Sequence, residues 1–280
     1  LVTSGIDEKS VTVEGLEIRT LETGEGPPAI LLHGASLGSS ADVWRRNLLP
    51  LAAHGIRVIA YDQPGFGLSD DPPDWNVGFR TSFVLAFMHA LGLERASLVG
   101  HSQAGAMAVR LALSHPDRVR RVVVLGTGSL LPPLPDQPNK TRAPAEGEEG
   151  GESEPTMAEV RALLESNLAN HALIGDEELA TRLRMSTGKN FRAHVARSEA
   201  AARKVGADAD KPPWQRLAEM RQPLLLIYGR DDRSQAARRA ELAKRQFGLD
   251  LHILPNCKHL VQWDAADAFH DLAGAFLRGG

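Results

Sequence analysis

The chain has 280 residues, 42% of them hydrophobic, which suffices for one large core in a single domain. Its formal net charge of −3 is too small to favour nucleic acid or an anionic membrane surface as a partner. One cysteine, Cys257, excludes an internal disulfide and is typical of a reducing compartment. Neither an apolar run of about 18 residues nor a signal-peptide pattern is found, so we expect a cytoplasmic protein without a membrane anchor.

The first predicted element is an antiparallel hairpin, in which residues 11–13 and 16–21 flank Glu14-Gly15. Short apolar runs separated by helical patterns follow it. These runs are residues 29–32, 58–61, 98–99, 122–125, 224–228 and 251–254. Strands that are apolar on both faces and alternate with helices indicate a mostly parallel sheet covered by helices on both sides. The sequence therefore predicts an α/β fold.

The alternation of strands and helices stops between about residue 126 and residue 223. Residues 132–155 contain six prolines and five glutamates and predict a mobile loop. Helical patterns follow at 157–168, 176–185 and 190–204, and we expect them to form an inserted lid over the carboxyl ends of the strands. A peripheral insertion with no gating role is the alternative. The predicted division is a first core part (1–130), the loop and lid (131–212), and a second core part (213–280).

A serine stands at the predicted turn between the third parallel strand and the next helix. The segment reads Gly100-His101-Ser102-Gln103-Ala104-Gly105. A serine between small residues on a sharp strand-to-helix turn is typical of the nucleophile elbow of serine hydrolases. The alternative is an ordinary serine in a strand-turn-helix connection.

A serine nucleophile needs a histidine base, and the base needs a carboxylate that fixes its tautomer. On this fold the acid and the histidine follow the serine in that order. Asp232 lies in the loop directly after the strand at 224–228, and His259 lies shortly after the strand at 251–254. We interpret Ser102, Asp232 and His259 as a catalytic triad, with Asp231 as the alternative acid. Five other histidines lie on helical segments or their ends and are expected at the surface: His54, His115, His171, His194 and His270.

The oxyanion of a tetrahedral intermediate needs backbone N–H donors. We expect one from Gln103, which follows the nucleophile, and one from Ala35 in the loop after the first parallel strand. A simple turn at His33-Gly34 is the alternative for that loop. No metal or cofactor is expected, because metal-binding spacings and a phosphate-binding glycine loop are both missing from the sequence.

Together these motifs resemble the α/β-hydrolase superfamily, and within it the meta-cleavage product hydrolases, which cut carbon–carbon bonds in ring-opened aromatic compounds. The resemblance covers nearly the whole chain. Its most specific motifs are Tyr228-Gly229-Arg230-Asp231-Asp232-Arg233 and Cys257-Lys258-His259-Leu260-Val261-Gln262-Trp263-Asp264. The family's acid matches the second aspartate of the first motif, which favours Asp232.

The resemblance also implies substrate-binding residues and a partner. Arg182 matches the family's substrate-contacting arginine, where a guanidinium pairs with a carboxylate or polarises a ketone; a surface charge is the alternative. Ser36, Leu260 and Trp263 are implied as further substrate contacts. The partners expected are a small-molecule substrate and, by resemblance alone, a second copy of the chain in a homodimer.

The chain departs from the family pattern near the predicted site. His101 and Ala104 replace an asparagine and a glycine of the elbow, and Lys258 and Leu260 replace the glycine and the aromatic residue that flank the histidine. Since these departures leave the triad intact, we predict a serine hydrolase, and the resemblance implies hydrolysis of a carbon–carbon bond in a 2-hydroxy-6-oxo-dienoate. A carboxylesterase or lactonase is the alternative enzyme, and a ligand-binding relative without activity is the third hypothesis.

Overall fold

The computed structural model describes residues 5–136, 153–203 and 213–279. These residues contain one eight-stranded sheet with the strand order β1-β2-β4-β3-β5-β6-β7-β8. The strands are β1 (Asp7–Val13), β2 (Leu16–Thr23), β3 (Pro28–Leu32), β4 (Arg57–Tyr61), β5 (Ala96–His101), β6 (Val119–Leu125), β7 (Leu224–Gly229) and β8 (Asp250–Leu254). The pairs β1–β2 and β2–β4 are antiparallel and all other pairs are parallel. The predicted hairpin and the mostly parallel sheet are confirmed.

Helices cover both faces of this sheet. They are α1 (Arg45–Ala52), α2 (Val77–Ala90), α3 (Gln103–Ser114), α4 (Met157–Asn167), α5 (Asp176–Arg184), α6 (Lys189–Arg203), α7 (Ala236–Phe247), α8 (Val261–Asp264) and α9 (Ala266–Arg278). Buried residues of α2, α3 and α7 pack on one face, and those of α1 and α9 pack on the other. No helix within the described ranges has the length and apolar character needed to cross a bilayer.

The central parallel strands are buried on both sides because they contribute alternate residues to two cores. In β3, Ile30 and Leu32 join the core under α2 and α3, whereas Ala29 and Leu31 join the core under α1 and α9. This two-sided burial explains why the strands appear in the sequence as continuous apolar runs.

The inserted segment contributes α4, α5 and α6, each within one or two residues of its predicted range. It contacts the core close to β8: the Leu260 N–H donates to the Asn167 carbonyl at 3.0 Å, and Lys258 Nζ donates to the Glu165 carbonyl at 3.0 Å. Most of the predicted loop at 132–155, namely residues 137–152, lies outside the described residues. At its near end Leu134 is buried.

Two of the expected surface histidines are buried. His194 on α6 and His270 on α9 are 5% and 8% exposed. His270 Nε2 lies 3.0 Å from Asn47 Nδ2 of α1, so that this ring links two helices on one face of the sheet. The prediction was wrong for both residues because each points from its helix toward a neighbouring element rather than toward solvent.

Candidate active site

Ser102 lies at the turn where β5 ends and α3 begins. Its backbone adopts φ 56° and ψ −125°, a conformation that a non-glycine residue rarely adopts. Neighbouring groups hold this turn: the Ser102 N–H donates to the Leu125 carbonyl at 2.8 Å, and Thr127 Oγ1 donates to the Ser102 carbonyl at 2.6 Å. The serine is only partly buried, and its strained turn has the geometry of a nucleophile elbow.

The small residues around Ser102 differ in how strictly they are required. A Cβ atom on Gly100 would lie 2.5 Å from the Ala104 carbonyl oxygen, and one on Gly105 would lie 2.1 Å from Thr127 Oγ1. Both positions therefore need glycine. The methyl group of Ala104 is fully accommodated in the core. The departure from the family's elbow at this position thus leaves the turn intact.

The structure pairs His259 with Asp232. His259 Nδ1 lies 3.0 Å from Asp232 Oδ1 and 3.2 Å from Oδ2. Asp232 is 7% exposed, whereas the neighbouring Asp231 is exposed to solvent. Because a carboxylate accepts hydrogen bonds, Nδ1 carries the proton and Nε2 keeps a lone pair. This is the tautomer that a general base for Ser102 requires.

The lone pair of His259 faces an arginine. Arg233 Nη2 lies 3.1 Å from His259 Nε2, and Arg233 Nη1 donates to Asn167 Oδ1 of α4 at 3.1 Å. In the part of the chain that the structure describes, no hydrogen bond joins Ser102 Oγ to His259. Contacts between a nucleophile and its base are often loose until substrate binds.

A small cavity of about 20 Å³, room for about one water molecule, lies between the elbow and the inserted helices. A second cavity of about 190 Å³ adjoins it. The walls shared by the two cavities are Val43, Leu164, Arg182 and Leu260. Trp263 lines the larger cavity, and its Nε1 donates to the Val43 carbonyl at 2.7 Å. The predicted substrate contacts Leu260, Trp263, Arg182 and Ser36 therefore lie together beside Ser102 or in the adjoining space.

Arg182 brings a positive charge into this pocket. Its Nη2 donates to Ser36 Oγ at 2.8 Å, and its Nε is buried and has no hydrogen-bond partner among the described residues. Burial lowers the pKa of Arg182 to about 10, so the guanidinium remains charged at neutral pH. Among the described residues that line the pocket around Ser102 there is no carboxylate. The space directly beside Ser102 thus has the charge that suits an anionic group, whereas the adjoining cavity is lined by both carboxylates and arginines.

The oxyanion role of the Gln103 and Ala35 N–H groups stays a prediction, and the positions of both residues are compatible with it. Gln103 is the first residue of α3, where backbone N–H groups have no partner within the helix. Gly34, next to Ala35, approaches the elbow so closely that a Cβ there would lie 3.2 Å from Ser102 Cβ. The loop after β3 therefore lies against the nucleophile.

His101 contributes to the site in a way that the sequence pattern did not indicate. It is buried, and its Nε2 donates to the backbone carbonyl of His259 at 3.1 Å. Burial, followed by the proximity of the second titratable ring of His259, lowers the pKa of His101 well below its usual range. The ring is therefore neutral and supports the loop that carries His259. The sequence did not indicate the contacts of Asn167 and Arg233 either, because these contacts join residues far apart in the chain.

The described residues contain no group of three or more His, Cys, Asp or Glu side chains arranged to hold a metal ion.

A serine at a strained strand-to-helix turn and a His–Asp pair at the ends of β7 and β8 define a serine hydrolase of the α/β type. The chain belongs to the α/β hydrolase fold family, whose model matches residues 27–266.

Proteins of known activity resemble the chain over nearly its full length. It is 33% identical to 2-hydroxy-6-oxo-6-phenylhexa-2,4-dienoate hydrolase of Burkholderia cepacia, over 98% of this chain and 95% of that protein. It is 31% identical to 2-hydroxy-6-oxononadienedioate/2-hydroxy-6-oxononatrienedioate hydrolase of Comamonas testosteroni, over 98% and 95%. The structure of 2-hydroxy-6-oxo-6-phenylhexa-2,4-dienoate hydrolase from a Rhodococcus strain superposes with a TM-score of 0.83 at 25% identity, covering 98% and 99% of the chains. The family resemblance expected from the sequence is confirmed.

Proposed function

We propose that the protein hydrolyses a carbon–carbon bond in a 2-hydroxy-6-oxo-dienoate formed by ring cleavage of an aromatic compound. The observation that carries this proposal is Arg182, a buried cation beside Ser102 in a pocket whose described lining residues include no carboxylate. Such a charge favours a substrate with a carboxylate group. The activities named for the relatives in Burkholderia and Comamonas support the same substrate class.

In the proposed mechanism the substrate first changes from the dienol to the keto form, in which C5 carries the proton that the enol oxygen loses. Arg182 holds the carboxylate and the 2-oxo group. Ser102 Oγ then attacks the C6 carbonyl while His259 Nε2 takes its proton and Asp232 stabilises the imidazolium. The backbone N–H groups of Ala35 and Gln103 bind the oxyanion.

Collapse of the tetrahedral intermediate breaks the C5–C6 bond. The electron pair moves from C5 through the adjacent double bond onto the 2-oxo oxygen, which receives the proton held by His259. This step releases a 2-hydroxypenta-2,4-dienoate and leaves an acyl group on Ser102. Water then attacks the acyl ester as His259 takes its proton, and the second carboxylic acid leaves with Ser102 restored.

We further propose that the segment 131–212 is a lid inserted between the core parts 1–130 and 213–280. Leu163, Leu164 and Asn167 of α4 and Arg182 of α5 form the wall opposite the elbow. A lid of this kind excludes water from the reaction and shapes the pocket. These contacts favour a lid over a peripheral insertion, because a peripheral insertion would have no side chain beside Ser102.

A cytoplasmic location and a homodimer complete the proposal. The single cysteine, which is buried and unpaired, supports the former. The resemblance to dienoate hydrolases supports the latter, and light scattering of the purified chain measures its mass directly.

The test of the proposed reaction uses two substrates and one variant. Purified enzyme is given a yellow 2-hydroxy-6-oxo-6-phenylhexadienoate and, separately, a neutral aryl ester. We expect rapid bleaching of the dienoate, slow ester turnover, and a loss of about 10⁴-fold or more in both activities for Ser102→Ala.

Fast ester turnover without dienoate cleavage would contradict the carbon–carbon proposal and support a carboxylesterase. The histidine at position 101 favours that second candidate, because Gly-His-Ser elbows are common among esterases of the superfamily. Binding of the dienoate without turnover of either substrate would support a non-catalytic relative.

A further inference from the structure

Arg233 contacts the catalytic base from the side on which the base must act. This residue directly follows Asp232, and its backbone N–H donates to Asp232 Oδ1 at 2.8 Å. Its side chain returns over His259, with Nη2 at 3.1 Å from His259 Nε2. Its other branch reaches Asn167 Oδ1 on α4. One guanidinium therefore joins the acid loop, the base and the inserted helices.

The contact between Arg233 and His259 has only one possible direction. A guanidinium donates hydrogen bonds and accepts none. Since Nδ1–H of His259 donates to Asp232, Nε2 is the acceptor for the Arg233 N–H. The lone pair that must receive the proton of Ser102 is thus occupied by Arg233 in the structure. His259 is held in the correct tautomer but is kept from the nucleophile.

A substrate carboxylate competes with His259 for the guanidinium of Arg233. A guanidinium binds a carboxylate through charge-assisted hydrogen bonds, which are stronger than a bond to a neutral imidazole. Arg233 and Arg182 both line the pocket around Ser102, so an anion that enters it meets both cations. Movement of Nη2 toward the anion releases the lone pair of His259. A neutral substrate offers no group that competes equally well for the guanidinium.

We propose that Arg233 is a specificity-determining residue that blocks His259 in the empty site and releases it to Ser102 when an anionic substrate binds. The inference rests on the proposed function for the role of Ser102 and His259. It adds a reason for selectivity: the same arginine depresses the reaction with neutral esters and promotes the reaction with carboxylates.

The test compares Arg233→Met with wild type on the neutral aryl ester and on the dienoate. Met keeps a side chain of similar length but removes every donor. We expect kcat/KM to rise severalfold for the ester and to fall about tenfold or more for the dienoate. Arg233→Lys, which keeps a charge and a donor, should retain much of the suppression of ester turnover. Arg230→Met is the matched control in the same loop, because Arg230 is exposed, and it should change neither rate.

A fall in both rates for Arg233→Met, with the Lys variant falling equally, would show a purely structural role and overturn the proposal. Unchanged rates for both substrates would overturn it as well. A neutral phosphonate that labels Ser102 provides a second readout, since its labelling rate should rise in Arg233→Met. If wild type fails to cleave the dienoate while the labelling and ester rates still rise, the carbon–carbon proposal fails and the role of Arg233 at His259 stands.

Discussion

Two adjacent aspartates illustrate how local geometry assigns roles at the scale of single residues. Asp231 and Asp232 have the same chemistry and follow the same strand. The turn after β7 directs Asp232 inward, where its carboxylate meets His259 Nδ1, and leaves Asp231 exposed. The direction in which each side chain leaves the turn, rather than the residue type, determines which of the two carboxylates contacts His259.

The pair provides a matched experiment. We expect Asp232→Asn to lower kcat by about 10²–10⁴-fold, because an amide no longer fixes the Nδ1–H tautomer or stabilises the imidazolium. Asp231→Asn, which makes the same chemical change one residue earlier, should stay close to wild type. Steady-state kinetics with the dienoate measures both variants, and equal losses would refute the assignment of the acid.

At the scale of elements, one carboxylate joins the inserted segment to the loop that carries the base. Asp264, at the end of α8, accepts hydrogen bonds from the backbone N–H groups of Ala169 and Asn170, which follow α4. It also accepts one from the N–H of Lys258 at 2.9 Å. The position of His259, the next residue, therefore depends on a contact with the inserted segment.

Removal of this carboxylate should affect both stability and turnover. We expect Asp264→Ala to lower the free energy of unfolding by about 2 kcal/mol, because three backbone donors lose a charged acceptor. Turnover of the dienoate should also fall, since the His259 loop loses its support. Thermal unfolding and kcat are the measurements, with Asp267→Ala on the exposed side of α9 as the control. If the variant unfolds like wild type, Asp264 does not hold these segments together.

At the scale of the whole molecule, a partly buried ionic network joins the edge hairpin to Asp42, just before α1, and to Arg45 at the start of α1. Arg19 on β2 donates to both carboxylate oxygens of Asp42, at 2.8 and 2.9 Å, and to Glu8 on β1 at 2.7 Å. Burial opposes ionisation of Asp42, but the hydrogen bonds and charge of Arg19 and the charge of Arg45 outweigh it and lower the pKa of Asp42 to about 2.

This lowered pKa predicts a specific loss of stability in acid. A carboxyl whose pKa is lower in the folded state than its ordinary value of 3.8 stabilises the fold fully above that value. The contribution, on the order of 2 kcal/mol, should disappear as the pH falls from about 4 to about 2. Asp42→Asn should be less stable at pH 7 and should lack this part of the pH dependence. Denaturant unfolding at several pH values checks the prediction, and an unchanged acid profile in the variant would contradict it.

Much of the fold follows from local sequence patterns. The buried strands are apolar on both faces, so each gives a continuous run, and turn residues separate the runs from helices. The elbow was predictable for a similar reason, since Gly100 and Gly105 permit the close approach of strand and helix. His194 and His270 were placed wrongly because burial of a helical residue depends on which neighbour packs on that face.

The sequence by itself determined the α/β architecture and the family, and it predicted the order of nucleophile, acid and base. These depend on periodicity and on motifs confined to a few neighbouring residues. Only the tertiary structure decided that Asp232 rather than Asp231 meets His259, that Arg182 lies in the pocket, and that Arg233 covers the base. Each of these contacts depends on the direction of a side chain across separate loops, and that direction is set by packing rather than by local sequence.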